Sequence, residues 1–285
     1  MNLTLLLLTK LAKLRLSTIP APETDPNSIA IDPDPAVQIR PGRSVHSTKG
    51  IRYDGKLRMD LLVPSGPGPH PVVLYLPGGG FVAARRQMAS KQRAYVADAG
   101  FAVASIDYRT TSNGATYRDG LADVAAALRF LHAHAAEYHL DPMRIAVWGE
   151  SAGGYLASMA ATEPDNQFVA AVSMFGASDL STLTDGFDIE APDAIAAYVP
   201  DFCEGNPAGR VTDQTPPFLL LHGDDDRLIA PAQTAILHQA LLAAGIESTR
   251  YVVRGAGHGT LSEHPAVWTS AALMDYVVDF FRAHL

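Results

Sequence analysis

From residue 45 onward the chain alternates short, unbroken apolar runs with longer stretches in which apolar positions recur every three or four residues. The short runs at 72–76, 101–106, 145–148, 168–174, 218–221 and 249–253 predict buried strands. The longer stretches at 88–99, 119–138, 233–244 and 268–283, and the one that starts after Ser151, predict helices. In the 119–138 stretch, Leu121, Val124, Ala125, Leu128, Leu131 and Ala135 share one helical face. Residues 51–63 read as an antiparallel hairpin through Asp54-Gly55, a pair suited to a type I′ turn.

Such alternation predicts an α/β fold: a mostly parallel central sheet with helices on both faces and a small cap. Chemistry in sheets of this kind gathers beyond the C-terminal ends of the strands. The rhythm fails between 176 and 216, a loop-rich stretch with a short helical piece near 193–198, which reads as a cap-like insertion. Residues 45–285 are therefore expected to form the main domain. Residues 1–44 are expected to be an amphipathic helix, with Leu7, Leu8, Leu11 and Leu14 at helical spacing, followed by a proline- and acid-rich linker from about 20 to 41. That helix is expected to pack on its own protein. Covering a site, joining a homodimer contact and lying on a membrane surface are the alternatives.

Composition narrows the classes. At 285 residues one large core can be buried. A formal net charge of −8 argues against a nucleic-acid partner. No apolar stretch approaches the roughly 18 residues needed to span a membrane. The greasy run at residues 5–8 has its basic residues after it rather than before, unlike a secretory leader, so the expected location is cytoplasmic. Cys203 is the single cysteine, so no disulfide forms within the chain.

The most informative segment is Gly149-Glu150-Ser151-Ala152-Gly153, set behind the apolar run 145–148. A strand that turns abruptly into a helix strains the serine backbone, and glycines two residues away on either side relieve the crowding. The serine hydroxyl then stands at a helix N-terminus, where unpaired N–H groups favour developing negative charge. A serine needs a base, and the base needs an orienting group. His258 lies in a glycine-rich loop after the 249–253 strand, and Asp224, Asp225 and Asp226 follow the 218–221 strand. Spacing alone leaves Asp225 and Asp226 near even as the orienting acid. His222, closing its strand, is expected to be a packed structural histidine. Pro77-Gly78-Gly79-Gly80-Phe81 follows the 72–76 strand, and the N–H groups of Gly79 and Gly80 are expected to hold an oxyanion together with that of Ala152.

Taken together, these segments resemble the α/β-hydrolase fold, and more narrowly the carboxylesterases related to hormone-sensitive lipase and to the feruloyl- and acetyl-esterase-like group. Asp107-Tyr108-Arg109 resembles a family element that supports the glycine loop, and 140–145 resembles the family's entry into the nucleophile strand. His222-Gly223-x-x-Asp226 resembles the family's acid motif and points to Asp226, while Gly257-His258-Gly259 resembles the segment with the catalytic histidine. The likeness runs from about residue 51 to the C-terminus. Pro77 stands where the family usually has a histidine, which removes one scaffolding donor. Arg85 and Arg86 follow the loop and are read as surface residues rather than as contacts for an acidic substrate.

The resemblance implies a serine carboxylesterase acting on small to medium esters, with Ser151, His258 and Asp226 as its triad and no metal or organic cofactor. The same residues also suit an arylformamidase or amidase, a peptidase or a biosynthetic acyltransferase. A non-catalytic binding protein on this scaffold is the alternative from another class.

Overall fold

The computed structural model describes residues 25–40, 45–183, 193–262 and 264–285. Nine strands form one sheet: β1 (Ile29–Ile31), β2 (Val45–Asp54), β3 (Leu57–Pro64), β4 (His70–Leu76), β5 (Ala102–Ile106), β6 (Leu140–Glu150), β7 (Ala170–Met174), β8 (Phe218–Gly223) and β9 (Ser248–Val253). Their spatial order is β1-β9-β8-β7-β6-β4-β5-β3-β2. Every neighbouring pair is parallel except those made by β3, which runs against both β5 and β2. The architecture is the mostly parallel, helix-flanked sheet of the α/β-hydrolase fold.

Six α-helices are described: α1 (Ser90–Asp98), α2 (Tyr117–Ala133), α3 (Ala152–Ala161), α4 (Asp193–Tyr198), α5 (Ala232–Ala243) and α6 (Ala271–His284). Leu74, Leu76, Val147 and Leu220 point to one face of the sheet and meet Val124, Leu128 and Leu131 of α2, Leu156 of α3, and Leu237 and Leu241 of α5. The alternate positions Val73, Tyr75, Trp148, Val172 and Leu219 point to the other face, against Val96 of α1 and Val277 and Phe281 of α6. The two-residue period of the strands thus divides the core into two layers. Each fully buried Val or Leu contributes about 1.5–3 kcal/mol of transfer free energy to that division. Local chemistry sets the ends of the helices. Asp119 accepts the Thr116 N–H (2.9 Å) at the start of α2, and Ser270 accepts the Leu273 N–H (3.2 Å) at the start of α6.

Two expectations are corrected. Part of the expected linker is an edge strand: β1 pairs in parallel with β9 from Ile29↔Tyr251 to Ile31↔Val253, and the Arg254 N–H donates to Ile31 O (3.0 Å). A three-residue strand is too short to display a period, and only β9 gives it a partner. The hairpin turn sits one residue later than expected. Asp54 pairs with Leu57, leaving Gly55 and Lys56 at the corner, and of these only Gly55 has positive φ (47°), whereas type I′ needs both. The expected amphipathic helix before residue 20 lies outside the described residues. No helix among the described residues is long and apolar enough to cross a membrane.

Candidate active site

Strand β6 ends at Glu150 and α3 begins at Ala152, so Ser151 alone makes the corner. Its backbone sits at φ 55°, ψ −123°, a conformation costing on the order of 1–3 kcal/mol that persists only where its surroundings enforce it. The Ser151 N–H is held by Met174 O at the end of β7 (2.9 Å). Gly153 permits the corner: a Cβ there would overlap the carbonyl of Leu76 at the end of β4. The turn places the Ser151 hydroxyl above the C-terminal edge of the sheet.

Two loops from neighbouring strands reach it. His258 follows β9, and its Nε2 is 2.8 Å from Ser151 Oγ. Asp226 follows β8, and its Oδ2 is 2.7 Å from His258 Nδ1. A carboxylate only accepts, so Nδ1 carries the imidazole proton, and bare Nε2 accepts the Ser151 hydroxyl. Asp226 is fully buried and His258 nearly so. Oδ1 of Asp226 accepts the N–H groups of Leu228 (2.8 Å) and Ile229 (3.0 Å). Burial opposes charge on Asp226, but the facing His258 ring and the hydrogen bonds from His222 and His258 outweigh it and hold the carboxyl well below the usual range.

The other two aspartates go elsewhere. Asp224 accepts the Gly255 N–H (2.6 Å), and Asp225 pairs with Arg227. His222 is fully buried, yet its Nε2 lies 3.2 Å from Asp226 Oδ2, so it touches the site as well as packing. Periodicity gave no sign of that contact. Its only sequence signal was a spacing of four residues from Asp226.

The glycine loop lies against the corner: a Cβ on Gly78 would sit 3.2 Å from Ser151 Cβ. Gly79 (φ 154°) and Gly80 (φ 62°) both occupy positive-φ backbone, and the N–H groups of Gly79, Gly80 and Ala152 donate to no acceptor among the described residues. The loop is braced from behind. Tyr108 donates its hydroxyl to Pro77 O (2.7 Å), and the N–H and hydroxyl of Thr111 donate to Phe81 O (3.0 and 2.9 Å). Arg86 is tied to Asp60 (2.8 Å) and Asp107 (2.6 Å), which anchors the far end of the loop, while Arg85 is exposed.

Within the described part of the 176–216 segment, Tyr198 of α4 packs on Phe81 (5.3 Å between ring centroids) and Tyr155 donates its hydroxyl to Gly205 O (2.9 Å). This segment therefore lies over the residue that follows the glycine loop. Glu150 is partly buried beside the corner. Desolvation raises its carboxyl from 4.5 to about 7, against the opposing pull of Tyr75, His258 and Arg93. Among the described residues, no three His, Cys, Asp or Glu side chains are grouped to hold a metal ion.

Ser151, His258 and Asp226 thus stand in one hydrogen-bonded line beside the glycine loop. The chain is similar to Esterase LipC of Mycobacterium tuberculosis, with 30% identity over 215 residues, 67% of this chain and 53% of that protein. It is also similar to isoprenylcysteine alpha-carbonyl methylesterase ICME of Arabidopsis thaliana, with 26% identity over 254 residues, 79% of this chain and 59% of that protein. The chain spans about half the length of the curated relatives it matches. Among solved structures, a truncated carbohydrate esterase from gut microbiota shares the fold with a TM-score of 0.75 and 23% identity, covering 87% of this chain and 99% of that one. A model of the BD-FAE family matches residues 59–241, more than half of the chain and all of the sheet from β4 to β8, and the chain belongs to that family.

Proposed function

We propose that this protein is a serine carboxylesterase acting on small to medium carboxylic esters. The observation that carries the reading is the continuous line of contacts Ser151 Oγ–His258 Nε2 (2.8 Å) and His258 Nδ1–Asp226 Oδ2 (2.7 Å), ending on a serine held at positive φ. Family membership and relatives named as esterases support it.

In this reading Ser151 Oγ attacks the ester carbonyl as Nε2 of His258 takes its proton. Asp226 keeps the imidazole in the Nδ1–H tautomer and stabilises its cationic form. The N–H groups of Gly79, Gly80 and Ala152 hold the tetrahedral oxyanion. His258 then protonates the departing alcohol, and a water activated by the same imidazole hydrolyses the acyl-enzyme. Pro77 supplies no donor at the mouth of the loop, and the donors that matter are backbone groups two and three residues on. We assign the catalytic domain to residues 45–285, with 176–216 as a short cap and residues 25–40 adding an edge strand.

The test is hydrolysis of p-nitrophenyl esters from acetate to decanoate by the wild type and by Ser151→Ala. Turnover confined to short acyl chains and lost in the variant is the expected result. Turnover retained by Ser151→Ala overturns the assignment. A wild type inactive on every ester but active on N-formyl amides replaces it with an amidase.

A further inference from the structure

Resting on the proposed triad, we propose that His222 is a positioning residue of the same site: a neutral Nε2–H donor that clamps Asp226 Oδ2 and so fixes the carboxylate against His258. Oδ2 of Asp226 lies within hydrogen-bond reach of two imidazoles, His258 Nδ1 at 2.7 Å and His222 Nε2 at 3.2 Å. Among the described residues, Oδ1 accepts only N–H groups of its own turn, from Leu228 and Ile229. Those two bonds locate Oδ1 alone, so the position of Oδ2 rests on the imidazoles. His222, standing at the end of β8, adds to the His258 contact a second hold on Oδ2 from outside the turn.

The tautomer follows from the neighbours. His222 Nε2 faces two acceptors, Asp226 Oδ2 and Ile229 O (3.0 Å), so it must carry the proton. Nδ1 is then bare and accepts the hydroxyl of Thr234 (3.1 Å), whose oxygen in turn accepts the Arg250 Nε–H (3.0 Å). Arg250 is buried on β9 and also donates to Ser28 Oγ (2.6 Å) and Pro231 O (2.8 Å). A hydrogen-bonded line therefore runs from the N-terminal segment through Arg250, Thr234 and His222 to Asp226. The charged and titratable groups facing His222 are Asp226 from its own turn, Arg250 from β9 and His258 from the loop beyond β9. Burial, reinforced by Arg250 and His258, outweighs Asp226 and lowers the pKa of His222, which keeps the ring neutral. A side chain needed only to fill this fully buried position would satisfy it without polar atoms. Every polar atom of this ring is engaged instead.

Two variants separate positioning from packing. His222→Phe keeps the volume and removes the donor, while His222→Gln returns an N–H near the Nε2 position. His222→Phe is expected to lower kcat about tenfold or more with KM within about twofold, the pattern of a lost transition-state interaction. With one donor fewer on Oδ2, the His258–Asp226 bond strengthens, so the acid limb of the kcat/KM profile moves to higher pH. The low-field NMR signal of the His258 Nδ1 proton should move further downfield. His222→Gln should restore both readouts toward wild type. Thr234→Val, which removes the hydroxyl facing His222 Nδ1, should move both in the Phe direction by less, and it serves if His222→Phe does not fold. If Phe and Gln variants behave alike, or if melting temperature falls while the pH limb and the NMR signal stay in place, His222 is packing and the proposal is overturned. The NMR comparison needs no substrate, so a wild type that cleaves no ester refutes the esterase reading separately.

Discussion

The ring of Phe175 meets the imidazole of His258 edge-on, with centroids 4.9 Å apart and planes at 63°. Phe175 also holds a backbone φ of 43°, unusual for an aromatic residue, and it is nearly fully buried. Trp268 packs against the same ring (4.8 Å) and donates its indole N–H to Gly257 O (3.0 Å). Phe175 thus packs on the His258 ring while Trp268 holds the backbone one residue before it. The strain at Phe175, on the order of 1–3 kcal/mol, is sustained by this packing.

Phe175→Leu removes the ring contact, worth about 1 kcal/mol beyond its buried area. We expect kcat on a short p-nitrophenyl ester to fall several-fold and KM to hold, because the imidazole loses an orienting wall without any change to the substrate's binding groups. Steady-state kinetics alongside urea unfolding checks this. A rise in KM at constant kcat would place Phe175 in substrate binding instead.

Asp225 and Asp226 differ by one position and should differ by orders of magnitude. Asp226→Asn removes the acceptor for His258 Nδ1–H and is expected to cost about 10⁴-fold in kcat. Asp225→Asn removes only a partly exposed pair with Arg227, worth roughly 0–1 kcal/mol, and should leave kcat within about twofold. Equal losses in the two variants would mean that the orienting acid is misassigned.

Gly79→Ala is expected to abolish ester hydrolysis. Its φ of 154° disfavours any L side chain, and a Cβ there would overlap the Ala83 carbonyl, so the loop must move and carry the proposed oxyanion donors with it. Loss of kcat together with a lowered melting temperature is the expected signature. An active Gly79→Ala enzyme would remove this loop from the oxyanion site.

Tyr108→Phe deletes the hydroxyl that holds Pro77 O (2.7 Å) and keeps the ring. A buried hydrogen bond of this kind contributes about 1 kcal/mol, more if the carbonyl is left unpaired. Thermal melting should show that loss together with a several-fold drop in kcat, since Pro77 leads directly into the glycine loop. A stability loss with unchanged kcat would separate the brace from the chemistry.

Glu150 makes stability depend on pH. Its folded value, about 7, lies above the ordinary 4.5, so the native state holds the proton more tightly than the unfolded chain. That contribution is complete below pH 4.5 and is lost as pH rises through about 7. Glu150→Gln removes the titration, so its melting temperature relative to wild type should rise between pH 5 and pH 8. Parallel melting curves across that window would show that the carboxyl titrates normally.

Much of this was legible in the chain itself. A turn that only glycine and serine chemistry allows announces itself locally, and so does a strand whose apolar run ends in a motif. For that reason the corner at Ser151, the glycine loop, His258 and the helix-strand alternation were all readable as sequence, and short helix α4 at 193–198 was found where expected. Which aspartate faces His258 was less so. Spacing left Asp225 and Asp226 open, and only a family likeness separated them.

What tertiary structure alone decided depends on partners distant along the chain. Strand β1 exists because β9, more than 200 residues later, offers it an edge, and three residues flanked by polar chain carry no period of their own. Phe175, just past β7, reaches His258, just past β9, only because parallel strands bring their C-terminal ends to one side of the sheet. His222 meets Asp226 because the turn after β8 folds back over the strand end, where Asp226 Oδ2 and Ile229 O set its tautomer and Thr234 and Arg250, from α5 and β9, continue the hydrogen-bonded line behind it. Local sterics and apolar periodicity act through nearest neighbours and are written in the order of residues. Proton placement, charge and ring orientation act through space, and only the closed sheet sets those distances.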